Sequence, residues 1–331
     1  PFTVLAQAAE VMKGLRTLHI QARMRTVPHD NFELILLDHD FIPVDIWKEY
    51  DNPSKWRVAK SGRYVVSDGQ EVLMLVGLGR TDSPPWAVKF NGKGYGLIGW
   101  LTPLLNIDGL MEQELKIARE EGSKIDLVHK TEANGDQKII LTIEAKAQGD
   151  FSQSDHSRNK AVIESDNIRV YTFDLWTHRL ENMRVSVKTD KDKVLVFETV
   201  KVEYDTPIDP SLLTMSVPKN VVWYQNPENN SSFPDNSAMT PKEVARAFFQ
   251  AMADKNWEAG RRFYGGMDNP RVREHMGGLQ IISIGEPVKS GLYPGWFVPY
   301  EIRLKNGEIK KYKLAVRNDN PKKYWTVDGG F

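Results

Sequence analysis

Hydrophobic and polar positions follow two different periods along the chain. Residues 3–15 place apolar side chains at helical spacing, which predicts an N-terminal helix. Between residues 17 and 204 the chain is instead a series of short β-rich runs separated by turn residues, including Asp68-Gly69 and Asn134-Gly135. Strands joined by such tight turns run antiparallel. The pattern therefore predicts an antiparallel meander and not a doubly wound sheet.

Alternation within the predicted strands indicates which sides of the sheet are covered. In the last two strands the apolar positions fall on one face, which predicts that this face is buried. These positions are Met183, Val185, Val187, Val194, Val196, Val200, Val202 and Tyr204. Residues 32–38, within the strand predicted at 31–41, and residues 72–78 are instead apolar on both faces. Either helices and loops cover the second face, or that face encloses something apolar.

The chain changes character after residue 224, where the first predicted domain ends. Residues 225–239 are rich in Asn, Ser and Pro, which predicts an exposed linker. Thr240 and Glu243 then form a capping box with proline at the first helical position. A second short helix and a curved antiparallel sheet with a turn at Asn306-Gly307 complete a compact α+β unit over residues 240–331. Within the first domain, 1–224, one further helix is predicted at 108–122.

Composition and charge narrow the class of protein. The 331 residues, 40% hydrophobic and 27% charged, are typical of a soluble globular protein of about two domains. The absence of cysteine excludes disulfides, thiolate zinc sites and thiol catalysis. No apolar run approaches the roughly 18 residues needed to cross a bilayer, and the start of the chain lacks the marks of a signal peptide.

Charge is divided unevenly between the two predicted parts. Residues 1–238 carry 28 Lys and Arg against 34 Asp and Glu, and residues 239–331 carry 16 against 10, so the net charges are −6 and +6. Ordinary surface variation accounts for this, or the two parts dock on each other, or the second meets an anionic partner. No basic run is interleaved with aromatic residues, so no nucleic-acid partner is predicted.

Candidate metal and cofactor residues are sparse. Seven histidines are present, and Asp38-His39-Asp40 and His29 resemble metal ligands in type only, because neighbouring side chains of a strand point to opposite faces. The spaced glycines after Asn91 lack a strand-to-helix nucleotide context and predict a flexible loop. We therefore predict no metal and no cofactor.

Three short motifs follow one another within residues 1–221. They are Pro53 with Trp56 and Arg57, then Asp68-Gly69 with Val72, Leu73 and Leu75, then Asp209-Pro210 with Leu212, Leu213 and Pro218. With the N-terminal helix they resemble the LolA/LppX-like fold of bacterial lipoprotein carriers and related periplasmic regulators. The resemblance implies a mainly β, curved antiparallel half-barrel with helices on its concave face, enclosing an apolar cavity. The carriers have arginine directly before the strand proline, where this chain has Asn52.

Four stretches over residues 240–331 resemble the nuclear-transport-factor-2-like (SnoaL-like) α+β cone. They are 240–260, which starts with the capping box, 285–288, 298–320 and 324–330. That fold hosts enzymes, binding modules and dimerisation units. Its pocket is predicted at Phe248, Met252, Tyr264, Trp296, Tyr300 and Trp325. An enzyme in this pocket would use an acid or base among His275, Tyr264, Tyr300 and Asp328.

The resemblance and the apolar runs together predict a non-enzymatic, exported bacterial protein that binds a lipid or other hydrophobic ligand. It would act in the periplasm as a carrier, chaperone or envelope sensor, peripheral to a membrane or lipid-anchored at most. The competing prediction is an interaction scaffold or envelope-stress regulator that contacts another envelope protein, with ordinary core in place of a cavity. An enzyme is the third. The predicted cavity wall comprises Leu34, Leu36, Leu73, Leu75, Trp86, Tyr95, Trp100, Leu101, Leu104, Leu105, Met111 and Leu115.

Overall fold

A computed structural model describes most of the chain. It covers residues 2–12, 14–51, 53–81, 83–92, 97–105, 114, 116–117, 119, 122–152, 160–224 and 235–331. Most of the predicted helix at 108–122, most of the predicted linker, Asn52 and the wall residues Tyr95, Met111 and Leu115 lie outside this range.

The described residues form five helices and sixteen strands. The helices are α1 (Phe2–Met12), α2 (Thr102–Leu105), α3 (Pro241–Ala253), α4 (Trp257–Arg261) and α5 (Pro270–Met276), and 3-10 turns lie at Gly99–Leu101 and Pro210–Leu213. The strands are β1 (Thr17–Arg25), β2 (Phe41–Glu49), β3 (Lys55–Lys60), β4 (Arg63–Ser67), β5 (Glu71–Val76), β6 (Trp86–Asn91), β7 (Lys124–Thr131), β8 (Gln137–Ala145), β9 (Asn167–Asp174), β10 (Leu180–Lys188), β11 (Lys193–Tyr204), β12 (Val222–Trp223), β13 (Gln280–Ile284), β14 (Trp296–Arg303), β15 (Ile309–Arg317) and β16 (Thr326–Gly329).

The strands form two sheets. The larger is curved and unclosed, with the order β12-β6-β5-β4-β3-β2-β1-β11-β10-β9-β8-β7, and the smaller has the order β13-β14-β15-β16. The predicted fold class, a mainly β half-barrel with a small α+β unit, is confirmed. The chain divides into two compact units, residues 1–80, 90–148 and 157–219 in one and 81–89, 149–156 and 220–331 in the other. The domain limits drawn from the sequence remain a prediction.

Register assigns each residue of the first unit to one side of the large sheet. Directly opposed residues of antiparallel strands share a face. One row across five strands contains Ile20, Ile46, Val58, Val65 and Met74, all at most 8% exposed. We call the side of the sheet that carries this row the inner face, and the opposite side the outer face.

The proline-rich segment at 205–218 contacts the outer face of β3 and β4. Asp209 caps its 3-10 turn by accepting a hydrogen bond from the Ser211 amide at 2.9 Å. Arg57 Nη1 donates to the Leu212 carbonyl at 3.1 Å, and the Tyr64 hydroxyl donates to the carbonyl of Ser216 at 2.8 Å. This segment therefore finishes the first unit and is not part of a linker.

Two β-bulges in β11 overturn the simple alternation predicted for that strand. Val196 is skipped in the pairing with β10, and Val200 is skipped in the pairing with β1. Each extra residue reverses which neighbours point inward. As a result Phe197 is fully buried, whereas Val200 is 66% exposed instead of buried.

The strand predicted at 31–41 is also wrong, because β2 begins only at Phe41. The side-chain oxygen of Asn31 accepts hydrogen bonds from the amides of Glu33 and Leu34 at 3.1 and 2.7 Å. Such local bonds compete with strand pairing. In this segment only Leu34 forms an isolated bridge, to Ala161, among the described residues.

The helix start predicted at Thr240 is present in the second unit. Thr240 and Glu243 form the reciprocal capping box at the start of α3, with Pro241 inside the first turn. The apolar face of α3 packs on the four-stranded sheet. In β15, Leu314 and Val316 are fully buried as expected, but Tyr312 is 61% exposed. The assignment of this unit to the nuclear-transport-factor-2-like fold remains a prediction.

Candidate functional site

Part of the predicted cavity wall covers the inner face. The ring of Trp100 meets that of Phe197 edge to face, with centroids 4.9 Å apart. Phe197 is opposite Met24 in the register and therefore belongs to the inner face. Leu101, Leu104 and Leu105 follow Trp100 and are at most 2% exposed. We call residues 97–105 together with Glu114 the cover.

Other predicted wall residues lie elsewhere. Leu73 is opposite Val66, and Leu75 is opposite Tyr64, so both are on the outer face rather than with Trp100. Strand β5 is buried on both sides. The apolar character of its residues therefore does not show which of them belong to which face.

The remaining three described wall residues are outside strands β1 to β5. Leu34 and Leu36 are half-buried in the loop between β1 and β2. Trp86 is half-buried in the second compact unit, where its ring stacks on Tyr224 at 4.4 Å. The described residues of the predicted wall therefore lie in four different places: the cover, the outer face, the loop between β1 and β2, and the second compact unit.

Three cationic side chains on the inner face were missed from the sequence. Lys48, Lys60 and Arg169 are only 5 to 7% exposed. Two of them continue an apolar alternation, since Lys48 follows Val44 and Ile46 in β2 and Lys60 follows Trp56 and Val58 in β3. A charged residue in phase with buried apolar neighbours was the signal that could have identified them.

Lys48 reaches the cover through a hydrogen bond to main chain. Its ammonium donates to the carbonyl oxygen of Leu105, the last residue of α2, and lies 4.4 Å from the centre of the Tyr50 ring. Lys48 thereby links the sheet to the cover.

Lys60 is held by the loop that follows β1. Its ammonium donates to Thr26 Oγ1 at 3.1 Å and to the carbonyls of Val27 and Asn31 at 2.9 and 3.1 Å. Burial, together with the nearby Arg63, lowers the pKa of Lys60 to about 8. The ammonium is thus paired with neutral oxygens and desolvated at the same time.

Arg169 forms a buried polar cluster with Tyr171 and Glu114. Arg169 Nη1 and the Tyr171 hydroxyl each donate to Glu114 Oε1 at 2.8 Å. Burial raises the pKa of Glu114, and both Arg169 and Tyr171 oppose this effect. Burial also raises the pKa of Tyr171. Within the described part of the chain, Glu114 Oε2 and Arg169 Nε have no hydrogen-bond partner.

The residues predicted as the second-unit pocket lie in or against its core. Phe248, Met252, Tyr300 and Trp325 are at most 4% exposed, and Tyr264 and Trp296 pack against them. The Tyr300 hydroxyl donates to the Gly330 carbonyl at 2.8 Å.

The other acid–base candidates of this unit are near its surface. Asp328 pairs with Arg317 at 3.5 Å. His275 lines an open groove with Arg271, Glu274 and other residues of α5 and the β14–β15 turn.

The described residues contain neither a cluster of metal ligands nor a helix that could span a membrane. His39 pairs with its neighbour Asp38 at 3.1 Å, and no group of three or more metal-ligating side chains is found there. His29 Nδ1 lies 3.3 Å from the Gly62 carbonyl. No helix in the same part of the chain has the length and apolar character to cross a membrane.

Comparisons with known proteins give distant likenesses. No family model and no curated protein matches the chain. The chain is similar to the lipoprotein LppX of Mycobacterium tuberculosis at 12% identity and a TM-score of 0.35, over 63% of this chain and 96% of that one. For the MucA/MucB complex of Pseudomonas aeruginosa the identity is 11% and the TM-score 0.37, over 96% and 79%.

A third similar structure is a putative outer membrane lipoprotein-sorting protein domain of Vibrio parahaemolyticus. Its identity is 7% and its TM-score 0.23, over 62% of this chain and 96% of that one. All three TM-scores are below 0.5.

Proposed function

We propose that this chain is a non-enzymatic, extracytoplasmic protein that binds a hydrophobic or amphipathic ligand, such as one with an acyl chain, against the inner face of its large sheet. The proposal is carried by one observation: three buried cations of an apolar face make their polar contacts with segments that cover it. These contacts run from Lys48 to Leu105, from Lys60 to the loop at 26–31, and from Arg169 to Glu114.

A permanent core has no need for such contacts. Transfer of charges into a protein interior is costly, and well-packed apolar residues in their place are often neutral or more stabilising. A cover held by polar contacts, however, regains solvation when it separates from the sheet. This arrangement is more consistent with a cover that can open than with one that permanently seals a core.

The inner face offers enough apolar surface for a lipid chain. Each buried methylene contributes about 0.8 kcal/mol, so ten of them contribute about 8 kcal/mol before the work of displacing the cover is subtracted. In the closed state Leu101 and Leu105 are fully buried, so a ligand would have to replace the contacts that they make. A carrier, chaperone or envelope sensor could each use such a site.

The same burial supports a second candidate, an interaction scaffold or regulator without a small ligand, in which the cover never leaves. The enzyme hypothesis gains no support, because Tyr300 and Asp328 are engaged in contacts within their own unit.

Binding of a fluorescent fatty-acid probe tests the proposal. The wild type is expected to bind the probe, and Trp100→Ala to change its affinity, because Trp100 contacts the inner face. Trp176→Ala is the matched control, since Trp176 is 77% exposed. Circular dichroism checks folding, and mass spectrometry of a solvent extract seeks a co-purified lipid. If the folded wild type and Trp100→Ala both fail to bind and the extract is empty, the scaffold candidate replaces the carrier.

A further inference from the structure

We infer that Arg169 and Tyr171 form a carboxylate-binding site on the inner face, and that Glu114 occupies this site when no ligand is bound. The inference rests on the proposed function and specifies its ligand class: a long-chain monocarboxylic acid, with its head at Arg169 and its chain along the apolar inner face.

The two donors define a position for one anionic oxygen. Arg169 and Tyr171 are two residues apart in β9, so their side chains lie on the same face of the sheet. Both donate to Glu114 Oε1 at 2.8 Å. The three side chains are at most 6% exposed, which makes these charge-assisted bonds strong.

Glu114 does not use the full hydrogen-bonding capacity of Arg169. An arginine and a carboxylate commonly pair through two parallel hydrogen bonds. Here the contact uses one carboxylate oxygen, and both Glu114 Oε2 and Arg169 Nε are buried without a partner among the described residues. A carboxylate that is not tethered to the main chain can turn to use both oxygens, so a ligand would satisfy Arg169 better than Glu114 does.

The surroundings suit the chain of such an acid. On the inner face Arg169 is flanked by Val185 and Ile143, and Val185 is opposite Phe197, on which Trp100 packs. Phe197 is two strands from Arg169, roughly 10 Å at the usual strand spacing. A ligand with its carboxylate at Arg169 would therefore extend its chain under the cover.

The test compares hexadecanoic acid, 1-hexadecanol and hexadecyl phosphate by displacement of a neutral acyl probe. Glu114→Gln weakens the internal competitor and is expected to raise affinity for the acid about tenfold, with a smaller effect on the alcohol. Tyr171→Phe is expected to weaken acid binding several-fold. The double variant Glu114→Gln/Arg169→Gln should bind the acid no better than the alcohol, a loss of roughly 10- to 100-fold.

Removing either partner alone leaves a buried charge unpaired and can endanger folding. Glu114→Gln keeps an oxygen that can still accept from Arg169 and Tyr171, whereas Arg169→Gln is made only in the double variant, and circular dichroism checks that each variant is folded. The matched control is Arg184→Gln. Arg184 is on the neighbouring strand β10, and its side chain is 59% exposed. Equal affinity for acid and alcohol in the wild type and all variants would overturn the inference and leave the proposed function intact. So would a preference for the phosphate, or loss of acid binding in Glu114→Gln. Failure of every compound to bind any folded protein would instead reject the proposed function.

Discussion

Lys60 tests whether charge is truly buried beneath the segments that cover the inner face. The residue is 7% exposed, and its ammonium is bonded to neutral oxygens. Burial is the largest cause of its lowered pKa, Arg63 adds to it, and Asp30 opposes it. Lys60→Met keeps much of the length and volume of the side chain and removes the charge.

The size and sign of the effect follow from proton linkage. The pKa is about 8 in the folded chain against 10.5 for the ordinary lysine side chain. Below pH 8 the Lys60 side chain is protonated in both the folded and the unfolded chain. The folded state is then destabilised by the full cost of burying this ammonium, about 3 kcal/mol at about 1.4 kcal/mol per pKa unit. Between pH 8 and 10.5 the unfolded state binds more protons than the folded state, so stability rises with pH and the cost is relieved.

The measurement is the free energy of unfolding in urea for wild type and Lys60→Met at several pH values from 7 to 10. Other titrating groups contribute to both proteins and cancel in the difference. We expect wild type to gain most of this 3 kcal/mol relative to Lys60→Met by pH 10. Lys191→Met, at an exposed lysine of the β10–β11 turn, is the control. A constant difference over this range would show that the Lys60 ammonium is solvated in the folded protein, and would remove one of the three contacts behind the proposed function.

Three further changes test the packing, each by urea unfolding. Leu213→Ala should destabilise the protein by about 2–5 kcal/mol and more than Leu212→Ala, since Leu213 is 6% exposed and Leu212 is half-buried; equal effects would contradict this packing of the 3-10 turn. Phe248→Ala, at a fully buried ring of α3, should cost about 3–5 kcal/mol, and a value under about 1 would mean that the core is loose. Asn236→Ala should cost about 2 kcal/mol, because its amide accepts from and donates to the main chain of Trp325 at 2.9 and 3.0 Å; no loss would mean that water replaces both bonds.

Features set by a few neighbouring residues could be predicted from the sequence. The glycines of the predicted hairpin turns, Gly69 and Gly135, have φ values of 93° and 92°, a region that other residues seldom adopt. Thr240 and Glu243 form both bonds of the capping box. In each case the residues that decide the geometry are within three positions of one another.

Features set by distant partners could not be predicted. The bulges at Val196 and Val200 exist only relative to β10 and β1, and each one reverses the inward alternation. Leu73 is on the outer face because Val66 is its partner, and its own apolar neighbours give no sign of that. Register is a property of strand pairs, so the predicted wall combined residues from both faces.

The candidate site was missed for a related reason. A search for cavity residues selects large apolar side chains, yet the inner face is distinguished by the charges among them. The part of the chain that contains the sheet carries a net charge of −6, while its inner face buries the cationic side chains of Lys48, Lys60 and Arg169. Average composition therefore predicts the wrong sign for the surface that an opened cover would expose. If the chain binds an anionic amphiphile, as inferred above, these buried cations would provide a countercharge at the inner face itself.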